Sequence, residues 1–357
     1  MADLKTLIAQ LNASGDFQLI TSNTVAQFGV PNRRYQFAEL MPEKLVKKNL
    51  FRETGIRFRT IVANDGTRYS AVQKKDGKLV SSVLVELGES DIGQDITAED
   101  YDTLVDQLAT TAGLDPASDF VRNWADAVLN LALVEHNERQ RVGAIVAGVI
   151  TRKGDGGYLE TVNYPNFSGQ RVNATAQWSD NAVDPFTADI LPMVERLRAK
   201  GFVINRIKTS GTVRSILQRN EKVRNAVVGR SDAAGLISIA KLNEYMGSNE
   251  LPPIETYDLT YQQQNDVTSW FYPRNSMTFL CTTGRDQTVD TGTEQITLGD
   301  TLGYSAVGRA AGESMPGRKI LVQHKADKPP RVDGQGWQSS APVVQEPEAS
   351  GTIGAIS

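Results

Sequence analysis

The sequence predicts an α+β fold in which helices and strands alternate irregularly. After Asp115, the large apolar residues Phe120, Trp124, Val128 and Leu131 recur at helical spacing, which predicts a long helix. Earlier in the chain, runs that suit strands are separated by Asn-Asp-Gly and Lys-Asp-Gly turns. Because the helices do not alternate regularly with the strands, the order is not that of a doubly wound parallel sheet.

The first 50 residues predict an N-terminal arm and not a compact domain. Apolar residues in residues 3–11 have helical spacing, so a short helix is expected there. Gly29 and Pro31 then interrupt the pattern. A second short helix is predicted over residues 42–50, with Pro42 in its first turn.

Residues 51–100 predict a long β-ribbon. Residues 56–62, 67–73 and 78–87 suit strands, and Asp-Gly turns separate them. A ribbon with so little core of its own would be marginally stable in a single molecule. We therefore expect it to lie on a neighbouring molecule. Its tip carries the charged residues Lys74, Lys75, Asp76 and Lys78.

The helix that begins near Pro116 is predicted to extend to about residue 149, which makes it a spine for a whole domain. Its charged residues are predicted to form a solvated or interface face. They are Glu135, Glu138, Arg139 and Arg141.

The second half of the chain predicts several short elements. Residues 151–179 are rich in Gly and Asn and predict turns with short strands. A helix is expected from Asp184 to Gly201, and another with its cap at Thr209 or Ser210. A third helix is predicted over residues 238–247, after which two prolines force a stop and a strand follows. Further strands are expected over residues 202–210, around Cys281 and near residues 318–326.

The last segment, from about Lys325, predicts an extended tail. It is rich in Pro, Gly and Ser and has no periodicity. Such a tail would pack, if at all, on other surfaces, with Trp337 as its one large anchor.

Composition excludes several function classes. The chain has 357 residues, a net charge of −4 and a pI near 5.5, which argues against a dedicated nucleic-acid binder. Cys281 is the one cysteine, so no internal disulfide is possible, and we interpret it as a small buried hydrophobe. His136 and His324 are the two histidines, and the motifs of zinc proteases, CxxC proteins and serine hydrolases are absent. We therefore expect no enzyme activity, no cofactor and no metal site.

Carboxylates are concentrated in the stretch from Glu86 to Asp102, without the spacing of a calcium loop. We interpret this stretch as a solvated acidic face, or as one that meets the Lys or Arg residues of a neighbour. No secretion signal or membrane span is evident, so synthesis in the cytoplasm is expected.

Six segments give the chain its resemblance to a known family, and their order is more specific than any one of them. They are AELMPEKLVKKNLF (38–51), IVANDGTRYSAVQ (61–73), WSDNAVDPFTADI (178–190), KTSGTVRSILQRNEKVRNAV (208–227), LPPIETYD (251–258) and DKPPRVDGQGWQSSAPV (327–343). In these segments the chain resembles the tailed-bacteriophage major capsid proteins of the lambda-type capsid protein E family.

The resemblance implies the Hong Kong 97-type phage capsid fold. The implied division is an N-terminal arm over 1–50, an E-loop ribbon over 51–100, a peripheral P-domain over 101–180 with its spine helix at about 116–149, an axial A-domain over 181–315, a strand returning to the P-domain over 316–330, and the extended C-terminal tail over 331–357.

The implied function is that of a major capsid protein, whose copies form the hexamers and pentamers of an icosahedral shell around double-stranded DNA. Scaffold and portal proteins are implied partners, and a decoration protein is a further one. Packaged DNA would be contacted non-specifically, and no membrane is implied as a partner. The implied location is the virion, after synthesis in the host cytoplasm. Another virion structural protein, of the tail or of the decoration class, and an enzyme with a carboxylate-based site are the alternatives.

Two sets of residues follow as candidate contacts. The candidate inter-subunit contacts are Arg68, Lys74, Lys75, Asp76, Lys78, Glu135, Glu138, Arg139, Arg141 and Trp337. The candidate basic residues of the inner surface are Arg33, Arg34, Lys47 and Lys48, which are too sparse for specific recognition of nucleic acid.

Overall fold

The helical and strand patterns fold into two five-stranded sheets with a long helix between them. The computed structural model describes residues 4–13, 35–58, 78–97, 99–100, 102, 106, 115–153, 159–164, 169–230, 235–263, 267–283, 287–290, 295–326 and 330–354. The first sheet is the long-strand sheet, with β1 (Glu43–Leu45), β4 (Gly88–Ile96), β15 (Gly303–Val307), β16 (Lys319–Lys325) and β17 (Arg331–Val344). The second is the short-strand sheet, with β7 (Arg171–Asn173), β8 (Arg206–Thr209), β9 (Ile254–Thr256), β12 (Ser276–Leu280) and β18 (Ser350–Gly354).

The long-strand sheet is organised around β17. This strand pairs antiparallel with β16, β4 and β15, and β15 pairs parallel with β1. Val332 of β17 and Ile320 and Val322 of β16 are buried together with Val121 and Leu129 of the long helix. Burial of these side chains fixes the helix against one face of the sheet, because apolar area removed from water stabilises the contact.

The long helix is the predicted spine. It runs without a break through the segments Asp115–Trp124, Ala125–Asn130, Leu131–Val142 and Gly143–Ala147, two of which are wider π-turns. At 1.5 Å per residue it is about 50 Å long. It ends at Gly148, which has the left-handed conformation (φ 68°) that suits a glycine after a helix. The predicted helix is confirmed.

The short-strand sheet lies in the largest apolar core. All five side chains of β12 are buried in its centre, between β8 and β18. The single helix predicted from the cap at Thr209 or Ser210 is divided in two at Asn220, whose side chain caps the second part, and the other two predicted helices start and stop close to the prediction. Helices surround the sheet. They are Phe186–Ile190 continuing as Leu191–Ala199, Gly211–Arg219, Glu221–Val228 and Ile239–Ser248.

The predicted helix–stop–strand junction is confirmed. The helix Ile239–Ser248 begins at the cap Ser238, whose hydroxyl accepts a bond from the Lys241 N–H. The chain turns after the helix, passes the two prolines and enters β9, which pairs parallel with β8. The junction delivers Tyr257, the residue after β9, into the core, where it is 2% exposed.

The ribbon is present as β2 (Leu50–Phe58) paired antiparallel with β3 (Lys78–Glu86). The predicted strand at 67–73 and both turns lie outside the described residues. Three two-stranded hairpins complete the sheets: β5 (Val149–Lys153) with β6 (Leu159–Asn163), β10 (Thr260–Gln262) with β11 (Thr268–Trp270), and β13 (Gln287–Asp290) with β14 (Gln295–Leu298).

The arm has the predicted first helix, Leu4–Ala13, but the prediction of a helix over residues 42–50 is wrong. The second helix is Gln36–Leu40, and the residues after it form the strand Glu43–Leu45. That strand pairs with β15 through backbone hydrogen bonds. These bonds stabilise the strand more than local preference stabilises a nine-residue helix, since so short a helix is marginal by itself.

The prediction of a loosely packed C-terminal tail is also wrong. Residues 331–344 form the central strand of the long-strand sheet, and residues 350–354 form an inner strand of the short-strand sheet. β15 lies in the long-strand sheet and β7 in the short-strand sheet, so the sheets exchange strands across the implied boundaries at 180 and 315.

Candidate functional site

Four buried ionisable side chains meet where the spine helix contacts the long-strand sheet. We call Glu43, Glu138, Arg141 and Arg318 the charge cluster; each is at most 5% exposed. Two carboxylates face two guanidinium groups, so the cluster is neutral when all four are ionised. Buried charges are stable in a protein when they are paired and hydrogen-bonded in this way.

Glu43 is the centre of the cluster. Its carboxylate pairs with Arg141 Nη2 at 3.2 Å and with the guanidinium of Arg318, and it accepts a bond from Asn137 Nδ2 at 2.8 Å. Arg318 Nε in turn donates to Gln338 Oε1 at 2.9 Å. The cluster therefore fastens β1, the spine helix and β17 to one another.

Glu138 connects the cluster to the arm and to the second sheet. Its carboxylate pairs with Arg141 Nη1 at 3.3 Å and accepts bonds from the Phe37 N–H at 3.0 Å and the Tyr257 hydroxyl at 2.7 Å. Tyr257 follows the proline junction. One carboxylate on the spine helix thus holds the arm helix and the exit from the short-strand sheet.

The two carboxylates have opposite pKa shifts. Burial alone would raise the pKa of Glu43, but the cations of Arg318 and Arg141 and the Asn137 bond hold it below its usual value. Burial raises the pKa of Glu138, and the opposing effects of Arg141, Tyr257 and the Phe37 N–H do not offset it fully. Burial, helped by the neighbouring Glu138 charge, also raises the pKa of Tyr257.

These contacts correct one prediction. Glu138 and Arg141 are buried inside the chain, so the prediction that they form a solvated or interface face is wrong. Glu135 and Arg139 are half-buried, where Glu135 accepts a bond from the Tyr35 hydroxyl at 3.1 Å and Arg139 lies 3.4 Å from a ring nitrogen of His136. The face is buried because the chain supplies a partner for each charge, which composition alone does not reveal.

Besides Arg141 and Arg318, the buried Lys208 amine ties the arm to the short-strand sheet. The Lys208 amine on β8 donates to Gln36 Oε1 at 2.8 Å and to Glu255 Oε2 at 2.5 Å. Burial lowers the pKa of Lys208, and the Glu255 carboxylate opposes that shift. The arm helix therefore makes polar contacts with the spine helix through Glu138 and with the short-strand sheet through Lys208.

Three residues of these networks were missed by the sequence analysis: Glu43, Arg318 and Lys208. Glu43 and Arg318 are each followed directly by a lysine, and Lys208 lies two residues after Arg206, so all three look like ordinary solvated charges in the sequence. The sequence carries no signal that distinguishes these buried charges from solvated ones.

Large apolar side chains are exposed at several places on the described surface, among them Phe120, Leu159 and Met315. On the ribbon, Leu50 and Leu84 are 54% and 64% exposed. Around the short-strand sheet the exposed ones are Val203, Leu236, Ile239, Val267 and Trp270. Apolar side chains that form a contiguous exposed patch are typical of surfaces that contact a partner, whereas single scattered ones are ordinary.

Trp337 borders an open groove of about 740 Å³ on the long-strand sheet. Its indole N–H donates to the Ala311 carbonyl at 3.1 Å. The groove also contains Glu89 and Asp91, so part of the predicted acidic face lines it. Trp337 is half-buried against its own chain, and its role as an inter-subunit contact stays a prediction.

Six of the remaining predicted residues lie outside the described part of the chain. They are Arg33, Arg34, Arg68, Lys74, Lys75 and Asp76. Lys78 begins β3 opposite Phe58. Lys47 and Lys48 are exposed in the turn between β1 and β2.

The titratable groups outside the cluster form no recognisable reaction centre in the described part of the chain. Burial and the cations of Arg139 and Arg152 lower the pKa of His136 to about 3, so it is neutral at pH 7. Cys281 is buried, as predicted. Among the described residues, no three His, Cys, Asp or Glu side chains are grouped to hold a metal ion. None of the described helices has both the length and the apolar character needed to cross a membrane.

Comparison with known proteins gives matches to phage proteins. Residues 93–299, more than half of the chain, match the family described as phage major capsid protein E. A prophage protein from E. coli CFT073 assigned as a capsid protein is similar in structure, with a TM-score of 0.50, 15% identity, and 78% of this chain and 80% of that chain covered. A phage-related protein from Bordetella bronchiseptica RB50 has a TM-score of 0.51 and 14% identity, with 92% and 95% covered. No curated protein matches the sequence.

Proposed function

The chain belongs to the phage major capsid protein E family, and we propose that its copies assemble into hexamers and pentamers of an icosahedral shell around double-stranded DNA. The observation that carries this proposal is the family match over residues 93–299. The chain is a capsid shell protein with the Hong Kong 97-type fold, and its location is the virion capsid.

The proposed domains follow the two sheets. We assign the long-strand sheet and the spine helix to the peripheral P-domain, and the short-strand sheet with its helices to the axial A-domain. In this assignment the charge cluster and Tyr257 join the two domains. A stiff junction suits a subunit that must take several quasi-equivalent positions with one internal structure.

The ribbon is the proposed E-loop, which lies on a neighbouring subunit. Its tip lysines would then pair with acidic groups of that neighbour. We expect replacement of Lys74, Lys75 and Lys78 by Glu to weaken the shell while the subunit stays folded. Thermal melting of assembled shells measures the effect, and a variant with Gln at the three positions separates lost attraction from added repulsion. Shells of unchanged thermal stability would contradict the assignment.

Structural rather than catalytic function is part of the proposal. The family and the similar structures are capsid proteins. The proposed partners are further copies of the chain, scaffold and portal proteins, a decoration protein, and packaged DNA contacted non-specifically through Arg33, Arg34, Lys47 and Lys48. Synthesis would take place in the host cytoplasm.

Electron microscopy tests the proposal directly. The protein is expressed with and without its neighbouring phage genes, purified and imaged. Closed shells, or rings of five and six subunits, are the expected result. A strictly monomeric protein in both preparations would overturn the proposal, whereas a monomer only when expressed alone would mean that assembly requires a scaffold.

A further inference from the structure

The base of the ribbon carries an exposed face whose four side chains form a small square. The pairing register places Leu50 opposite Glu86 and Arg52 opposite Leu84. All four side chains are exposed, and the two leucines are 54% and 64% exposed. We call these four residues the ribbon square.

The opposite face of the same ribbon is covered. Val85 is buried in an apolar cluster with Tyr304 and Val343, and Phe51 packs against that cluster. Since successive side chains of a strand point to opposite faces, this burial fixes the ribbon square on the outer face. The core therefore holds the ribbon base in place while one face stays open.

The arrangement of the square is chemically specific. Side chains directly opposite on an antiparallel pair are about 5 Å apart, and diagonal ones are about 7–8 Å apart. The two leucines occupy one diagonal, and Arg52 and Glu86 occupy the other. None of the described residues forms an ion pair with Arg52 or Glu86.

We propose that the ribbon square is a contact between two copies of this chain related by a two-fold axis. Consider a second square placed face to face with the first. If the two-fold axis runs along the leucine diagonal, each leucine meets the same leucine of the second copy, and Arg52 of each copy meets Glu86 of the other. An axis along or across the strands would instead place every leucine against a charge.

The same operator fixes the crossing of the ribbons. Rotation about the diagonal turns one strand direction into the perpendicular one, so the two ribbons cross at about 90°, as in orthogonal sheet packing. The pattern is self-complementary, which is the requirement for an isologous two-fold contact.

This inference rests on the proposed function and adds a location to it. The contacts that build a ring of five or six subunits are heterologous, with different patches meeting at each junction. An isologous contact therefore belongs between neighbouring rings. Four side chains cover far less than the roughly 1,200–2,000 Å² of a stable complex, so the contact acts as one of many in a closed shell and does not dimerise the free chain.

Charge reversal tests the pairing of Arg52 with Glu86. We expect Arg52→Glu and Glu86→Arg, each alone, to form rings but to lose at least about ten-fold in the yield of closed shells, because like charges then meet across the axis. Co-expression of the two single variants restores opposite charges at both positions of a mixed contact. It is therefore expected to restore shells.

Several outcomes of that experiment would overturn the inference. Single variants that close shells as the wild type does would show that the contact is absent. Variants that lose the rings as well would place the square inside a ring. Failure of the mixture to restore shells would show that Arg52 and Glu86 do not meet each other. Circular dichroism of each variant confirms that the subunit is folded.

Cysteine cross-linking tests the position of the axis. Leu50→Cys and Leu84→Cys are each expected to give disulfide-linked dimers in oxidised shells, because each position faces its own copy across the axis. Arg52→Cys is the matched control and is expected to give none, since it faces Glu86 of the second copy. The native Cys281 is buried and contributes little background. Dimers from the control alone would contradict the proposed operator.

The wild-type preparation separates the two proposals. If the wild type closes shells and the Arg52 and Glu86 variants close them equally well, the ribbon contact is overturned and the shell function stands. Absence of wild-type shells with and without the phage genes would overturn both.

Discussion

At the scale of single residues, the most informative feature is the charge cluster. Four ionised groups out of water would be very unfavourable if they were alone, and their mutual pairing makes them tolerable. Each also bonds to a different element, so the cluster selects one arrangement of the arm, the spine helix and the sheets.

Removal of one cluster residue is expected to be costly. Arg141→Ala leaves Glu43 and Glu138 buried without a shared cation, and we expect a loss of about 3–5 kcal/mol in the free energy of unfolding. Denaturant unfolding followed by circular dichroism measures it. Arg139→Ala is the control, because this half-buried side chain contacts His136 and is expected to cost less than about 1 kcal/mol. Equal losses in the two variants would show that the cluster has no special role.

The opposite pKa shifts of the two carboxylates predict opposite pH dependences. The pKa of Glu43 is lowered on folding, so its contribution to stability is present above its ordinary value of 4.5 and is lost as the pH falls through the folded pKa. The pKa of Glu138 is raised, so its contribution is greatest at low pH and declines as the pH rises through the folded pKa.

Paired variants test this difference. The stability lost in Glu43→Gln is expected to be greatest at neutral pH and to shrink below about pH 4.5. The stability lost in Glu138→Gln is expected to grow as the pH falls. Thermal melting of both variants and the wild type from pH 7 to pH 4 measures the slopes. If the stability lost in the two variants changed with pH in the same direction, the opposite pKa shifts of Glu43 and Glu138 would be contradicted.

At the scale of elements, the end of the spine helix combines a glycine with a cation. The Arg171 guanidinium donates to the carbonyls of Ala144, Ile145 and Val146 at 3.3–3.4 Å. These carbonyls have no partner inside the helix at its C-terminus, where a positive charge is favourable. A Cβ at Gly148 would overlap the same guanidinium.

Two glycine variants separate backbone strain from this contact. Gly148→Ala is expected to lower the free energy of unfolding by the roughly 1–2 kcal/mol that a left-handed non-glycine residue costs. It is expected to lose, in addition, the stabilisation from the Arg171 contacts. Gly201→Ala is the matched control. Gly201 has a φ of 82° and open space where a Cβ would point, so its substitution costs only the free energy of a left-handed backbone at a non-glycine residue. Thermal unfolding of both variants gives the comparison. A loss for Gly148→Ala no greater than that of the control would refute the capping role of Arg171.

At the scale of the whole molecule, the C-terminal segment holds both sheets together. β17 is the central strand of the long-strand sheet, and β18 lies between β7 and β12 of the short-strand sheet. One stretch of fewer than 25 residues therefore enters both sheets, and we expect the chain to fold fully only when both of these strands are in place.

Truncation tests this dependence. A chain that lacks residues 350–357 is expected to lose the folding of the short-strand sheet and to aggregate, because buried strand β12 is left with an open edge. A chain that lacks only 355–357 keeps β18 and is the control. Soluble yield and near-ultraviolet circular dichroism measure the result. A folded, soluble product from the longer truncation would contradict the prediction.

The elements with local signals can be predicted from the sequence. Spacing of large apolar residues and a proline in the first turn predict the spine helix, and caps and strand-like runs predict most of the other helices and the ribbon, although Pro42 wrongly favours a helix over residues 42–50. These signals depend on neighbours in the chain, so they can be read without the fold. The order of the six segments 38–51, 61–73, 178–190, 208–227, 251–258 and 327–343 indicates the family, and the match over residues 93–299 confirms it.

Features that depend on distant partners follow only from long-range packing. In the sequence the glycines of β17 favour a tail, yet a Cβ at Gly334 would overlap Trp124, so the glycine lets the spine helix lie close to the strand. Glu43 and Arg318 are 275 positions apart and meet only in the folded chain. A charge looks the same in the sequence whether water or a buried partner surrounds it, and only long-range packing determines which of the two it has.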